Sequence, residues 1–103
     1  MNDAKKYLPT FNKLFENINL AAGTGLFDKN LEQDVKKYVE IVISLCNILA
    51  LHKQNVAEIS NSAQVSIKQL VAGLQNNNKH EIDTSINSLA AAHKEIFERI
   101  NGL

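Results

Sequence analysis

Residues 41–62 read Ile41-Val42-Ile43-Ser44-Leu45-Cys46-Asn47-Ile48-Leu49-Ala50-Leu51-His52-Lys53-Gln54-Asn55-Val56-Ala57-Glu58-Ile59-Ser60-Asn61-Ser62, and whether this stretch is one helix or two decides the fold. It lies inside a longer pattern. Leu31, Val35, Tyr38, Val42, Leu45, Leu49, His52, Val56, Ile59, Ala63, Ser66 and Leu70 are separated alternately by four and three residues, the spacing of a heptad seam on a helix. From Asp28 to Gln75 there is no Pro, and no Gly before Gly73. An unbroken helix over that interval would extend about 72 Å at 1.5 Å per residue. Two places offer a break: Asn55 and Glu58 have capping-box spacing, and Ser60-Asn61-Ser62 gathers side chains that compete for backbone hydrogen bonds. We expect the chain to reverse between Lys53 and Ser62, which gives four helices in an antiparallel bundle with coiled-coil-like packing. The unslipped heptads leave a second version open, three helices with one long central helix.

The rest of the chain agrees on class. A second seam runs through Ile82, Ile86, Leu89, His93, Ile96, Ile100 and Leu103, and a third through Tyr7, Phe11, Leu14, Ile18 and Ala21, while nothing alternates with period two. The reading is all-α, one helical-bundle domain over residues 1–103. Pro9 places the first good helix from about Pro9 or Thr10 to Ala22, before Gly23-Thr24-Gly25. Asp28 or Asn30 can cap the second helix. Gly73 and Asn76-Asn77-Asn78 close the next helical region, Asn78 with Glu81 reads as a capping box for the last helix, and Asn101-Gly102 ends it.

Composition narrows function by exclusion. Of 103 residues 45% are hydrophobic and 21% charged, and eleven basic residues balance eleven acidic ones. Neither half of the chain has a net charge, so a nucleic-acid patch is not expected. The polar start Met1-Asn2-Asp3-Ala4-Lys5-Lys6 leads into no apolar stretch of signal-peptide type, and the longest apolar run, Ile41 to Leu51, is too short to span a bilayer. Cys46 has no partner for an internal disulfide. Together these fit a cytoplasmic protein without a transmembrane segment.

Ile41 to Leu51 is apolar nearly all round a helix. Val39, Ile43, Cys46 and Ala50 form a second stripe beside the seam, with Ile41 and Ile48 between. Such a helix either sits at the centre of the fold, covered by Phe11, Phe15 and Phe27, or offers Ile41, Ile43, Cys46, Ile48 and Ala50 as an interface to another chain. The second alternative makes the protein a homo-oligomer, at least a dimer at micromolar concentration.

No pattern points to catalysis. His52 and His93 both fall on seam positions and could approach each other in the bundle, but there is no His-x-x-x-His, Cys-x-x-Cys or Glu-x-x-His spacing to complete a metal site. They read as partly buried structural histidines, and no metal or cofactor is expected. Gly23-Thr24-Gly25 lacks the Gly-Lys-Ser/Thr ending of a phosphate loop. Cys46 lies among Ile43, Leu49 and Ala50, a setting that raises a thiol pKa and quiets it. Glu32 and Lys36, Glu81 and Ser85, and Glu95 and Arg99 are i,i+4 surface pairs.

Residues 52–72, His-Lys-Gln-Asn-Val-Ala-Glu-Ile-Ser-Asn-Ser-Ala-Gln-Val-Ser-Ile-Lys-Gln-Leu-Val-Ala, resemble a stretch found in phasins, the small helical proteins that coat bacterial polyhydroxyalkanoate granules. Lys53, Asn55, Val56, Ile59, Ser60, Gln64, Val65, Ile67 and Leu70 occupy the matching places, over about a fifth of the chain. The resemblance implies a non-catalytic amphipathic protein that lays apolar helix faces on a hydrophobic surface. The expected function is therefore non-enzymatic association, with copies of itself and with an apolar surface. The alternative is a dedicated protein-binding bundle, such as an immunity protein or a secretion chaperone.

Overall fold

Three short connections settle the arrangement of the helices. In the computed structural model, which describes residues 3–103, a 3₁₀ turn over Asp3–Tyr7 leads into α1 (Leu8–Thr24), α2 (Lys29–Leu51), α3 (Ala57–Gln75) and α4 (Lys79–Asn101). Met1 and Asn2, part of the polar start noted above, lie outside the described residues. Connections of four, five and three residues make successive helices antiparallel neighbours. The described residues contain no strand. The molecule measures 43 × 23 × 16 Å, so a 72 Å central helix is excluded and the chain reverses where expected.

The reversal uses a device the sequence does not advertise. Where α2 ends, the amide of Gln54 donates to the carbonyl of Leu49 at 3.1 Å and that of Lys53 to Ala50 at 2.9 Å, the paired bonds of a Schellman motif. Lys53 supplies the left-handed residue at φ 63°. The turn after α3 repeats the motif with Asn78 to Gly73 and Asn77 to Leu74, Asn77 having φ 52°. α1 closes instead on Gly25 at φ 75°, whose amide donates to Ala21.

The start of α3 departs from the expected capping box. Val56 occupies the cap position without a side-chain bond. The Asn55 carbonyl is held by Arg99 of α4 at 2.9 Å, and Ser60-Asn61-Ser62 lie within α3. At the other two helix starts the cap side chains bond as expected, Asp28 Oδ1 accepting from the Leu31 amide at 2.9 Å and Asn78 Oδ1 from the Glu81 amide at 3.1 Å. The Asn78 amide donates to Gly73 rather than to Glu81, so only half of that capping box forms. α1 is longer at both ends than expected, running from Leu8 to Thr24 rather than from Pro9 or Thr10 to Ala22.

The seams become the core. Leu31, Tyr38, Val42, Leu45 and Leu49 of α2 meet Ile59, Ala63 and Leu70 of α3, Ile82, Leu89, Ile96 and Ile100 of α4, and Phe11, Leu14 and Ile18 of α1 in one buried cluster. α3 and α4 pack more closely than any other pair. At their shared turn an added Cβ on Gly73 would lie 3.1 Å from both the Ile82 backbone nitrogen and its Cγ1. A side chain at this position would require Ile82 to give way by a few tenths of an ångström.

These environments give opposite expectations for similar changes. Gly23→Ala meets nothing within 4 Å and is expected to stabilise by about 0.5–1 kcal/mol, and Lys53→Gly should relieve a left-handed lysine by a similar amount. Gly73→Ala is expected to lose about 1 kcal/mol or more because overpacking against Ile82 outweighs its better helix propensity. Urea unfolding of the three variants checks the order.

Candidate functional site

A histidine buried among apolar helices needs partners for two ring nitrogens, and His93 of α4 has both. Its Nδ1 lies 2.6 Å from the Tyr38 hydroxyl of α2, and its Nε2 lies 2.9 Å from Asn12 Oδ1 of α1. An amide oxygen only accepts, so Nε2 carries the proton and Nδ1 accepts from the tyrosine. Phe11 and Phe15, one turn apart on α1, stack on the imidazole with ring centroids 4.1 and 4.4 Å away. Phe11 also stacks on Tyr38 at 5.1 Å. His93 is 9% exposed. Burial pushes its pKa from 6.5 down to about 4, which keeps the ring neutral at ordinary pH, and the same burial pushes the Tyr38 hydroxyl up.

His52 is placed differently from the seam reading. Because α2 stops at Leu51, His52 is exposed in the turn, whereas His93 is buried. Among the described residues no three His, Cys, Asp or Glu side chains come together. Sequence reasoning noticed His93 but missed its setting. Tyr38 and Phe11 were visible as seam residues, whereas Asn12 and Phe15 lie off their seam. A polar residue on an apolar seam was the available signal, since such a side chain obliges neighbouring helices to supply hydrogen bonds.

The five residues singled out on α2 divide between two flanks. Ile41 and Ile48 are half-buried and pack against the core. Cys46 is 3% exposed and faces inward, while Ile43 at 42% and Ala50 are exposed. The Cys46 thiol is pushed up by burial, opposed by a hydrogen bond from Ser60 and the positive charge of Arg99. Of the surface pairs, Lys36 reaches Glu32 at 3.6 Å and Arg99 reaches Glu95 at 2.7 Å. Ser85 instead donates back to the Glu81 carbonyl at 2.7 Å, which satisfies its buried hydroxyl.

Two of the surface grooves lie between helices α2, α3 and α4. Between α2 and α3, Val35, Val39, Ile67, Val71 and Ala72 line an apolar groove of about 320 Å³ rimmed by Gln64, Lys68 and Gln75. A more polar cleft of about 460 Å³ lies between α3 and α4, walled by Glu58, Ser62, Glu95 and Arg99. There the guanidinium is already bonded to Asn55 and Glu95. No helix among the described residues is long and apolar enough to cross a membrane. No protein-family model, curated protein or solved structure matches the chain.

The network makes two checkable statements. Nitrogen NMR of His93 at neutral pH should show the Nε2–H tautomer. Tyr38→Phe, which leaves Nδ1 buried without a donor, should lower stability by about 1–3 kcal/mol in chemical denaturation.

Proposed function

We propose that this protein is a non-catalytic association module. Its α2–α3 face packs against a second copy, and the assembled copies adsorb to an apolar surface in the manner the phasin resemblance implies. The observation that carries the reading is the apolar groove, where Val35, Val39 and Val71 remain half-buried in a folded chain and Ile43 continues the α2 stripe into solvent. Completing the burial of a half-covered aliphatic side chain contributes about 1 kcal/mol, and a two-fold pairing counts each residue twice. Four such residues therefore supply about 8 kcal/mol before the ordering and rigid-body costs of association, enough for weak pairing. Balanced charge suits this mode, because neither copy repels the other. A reducing compartment such as the cytoplasm suits the unpaired Cys46.

The concave shape of the groove favours a second reading, the dedicated protein binder. A cleft between two helices accepts the apolar ridge of a partner helix more readily than it accepts a flat surface.

Sedimentation equilibrium of the wild type and of the Val39→Glu/Val71→Glu variant separates these readings. Self-association in the wild type, lost in a variant that keeps its helical circular dichroism, is the expected result. A clean monomer at high concentration removes the pairing. Equal partitioning of the protein and a soluble helical control onto polyester granules removes the surface, and a stoichiometric protein co-purifying with the chain promotes the dedicated binder.

A further inference from the structure

The ties between α1 and its neighbours have an uncommon composition. Among the described residues, the side-chain hydrogen bonds that join α1 to other helices run from His93 Nε2 to Asn12 Oδ1 and from Asn17 Nδ2 to Asp34 Oδ2, at 2.9 and 3.2 Å. Both partners are titratable. The ion pair made by α1, Lys13 with Glu16, lies within α1 itself and holds it to nothing else. Phe11 and Phe15, two of its largest side chains, stack on the same imidazole. By contrast α3 and α4 are joined by the closest packing in the bundle.

We propose that His93 makes the docking of α1 acid-labile, so that protonation of its ring releases α1 from α2 and α4 while the α3–α4 hairpin stays folded. In the docked state the imidazole is shielded from water by Phe11 and Phe15, and among the described side chains it lies beside no charge of opposite sign. Tyr38 is the titratable group in contact with it. Of the charged residues on the elements packed around it, Lys5 and Lys6 of the 3₁₀ turn, Lys13 and Glu16 of α1, Lys37 and Glu40 of α2, and Lys94 and Glu95 of α4 are exposed, the half-buried Asp34 is engaged by Asn17, and the half-buried Arg99 is engaged by Asn55 and Glu95. An imidazolium there has no countercharge among the described side chains to repay its lost hydration. In the released state water solvates the cation. The docked ring therefore binds fewer protons than the free one. Docking is fully supported above pH 6.5, and that support is withdrawn as the pH falls towards 4. From this one group the equilibrium constant for release rises about thirtyfold at pH 5. The device stands independently of the association reading, since it concerns only how α1 is held.

Hydrogen exchange of the full chain, expressed as protection factors at pH 7.5, 6.5 and 5.0, tests it. Amides of α1 are expected to lose protection by about thirtyfold at pH 5 while those of α3 and α4 keep theirs. His93→Gln should abolish that loss, and Asp34→Asn should preserve it. Equal loss in all four helices, or no loss in α1, overturns the proposal. Should His93→Gln fail to fold, the ring carbon shift of His93 in the wild type decides. A ring that titrates together with the loss of α1 protection supports release, and one that titrates near its ordinary value with α1 still protected overturns it.

Discussion

A neutral imidazole inside an apolar bundle must find one hydrogen-bond donor and one acceptor, and this requirement at His93 fixes how three helices meet. α2 supplies the donor in Tyr38 and α1 the acceptor in Asn12, so neither helix can rotate or slide without stranding a ring nitrogen. Leucine or isoleucine seams tolerate small changes of register, because one aliphatic contact resembles the next. A hydrogen bond of 2.6 Å does not. The stacked rings of Phe11, Phe15 and Tyr38 add contact area around the same point and exclude the water that would otherwise replace the bonds.

Much of the architecture was legible in the spacing of apolar residues, since Leu31, Val42, Leu45, Leu49, Ile59, Ala63 and Leu70 are buried as a seam requires. What the spacing could not show was the break. The five-residue turn from His52 to Val56 happens to fit the four-three count, so the alternation passes through it unaltered although the helix does not. The stop itself rests on Lys53 in a left-handed conformation, and lysine carries none of the preference for that geometry that marks glycine or asparagine. Asn55 and Glu58 pointed to the right neighbourhood for a different reason from the one that operates, because Arg99, distant in sequence, holds the Asn55 carbonyl. The His93 network was half legible. A seam histidine and a seam tyrosine can be read from one sequence, but which off-seam side chain completes the set depends on how α1 and α4 face each other, and only the packed helices determine that.

The same packing bears on where apolar surface remains. Within residues 52–72, Ile59, Ile67 and Leu70 are consumed by the protein's own core, and Val65 is left exposed. Apart from Val65 and Ile43, exposed in mid-helix, the apolar residues still available along the helices line the α2–α3 groove. Elsewhere they stand at the ends of the bundle, where Leu51 is 82% and Leu20 68% exposed. A bundle in this state has a narrow apolar seam to offer rather than a whole helix face.

The distance along the chain between the partners of the network has a kinetic meaning. Asn12 and His93 are separated by 81 residues and Tyr38 and His93 by 55, whereas the Gly73–Ile82 approach closes over a three-residue turn. Loop-closure entropy rises with the length of chain enclosed, so the α3–α4 hairpin is the contact a collapsing chain can form most readily, and the aromatic stack is among the last. The interaction that fixes the register of the finished bundle is thus one that earlier folding events must do without. Stopped-flow kinetics would register this as substitutions at Phe11 that accelerate unfolding and leave the folding rate almost unchanged.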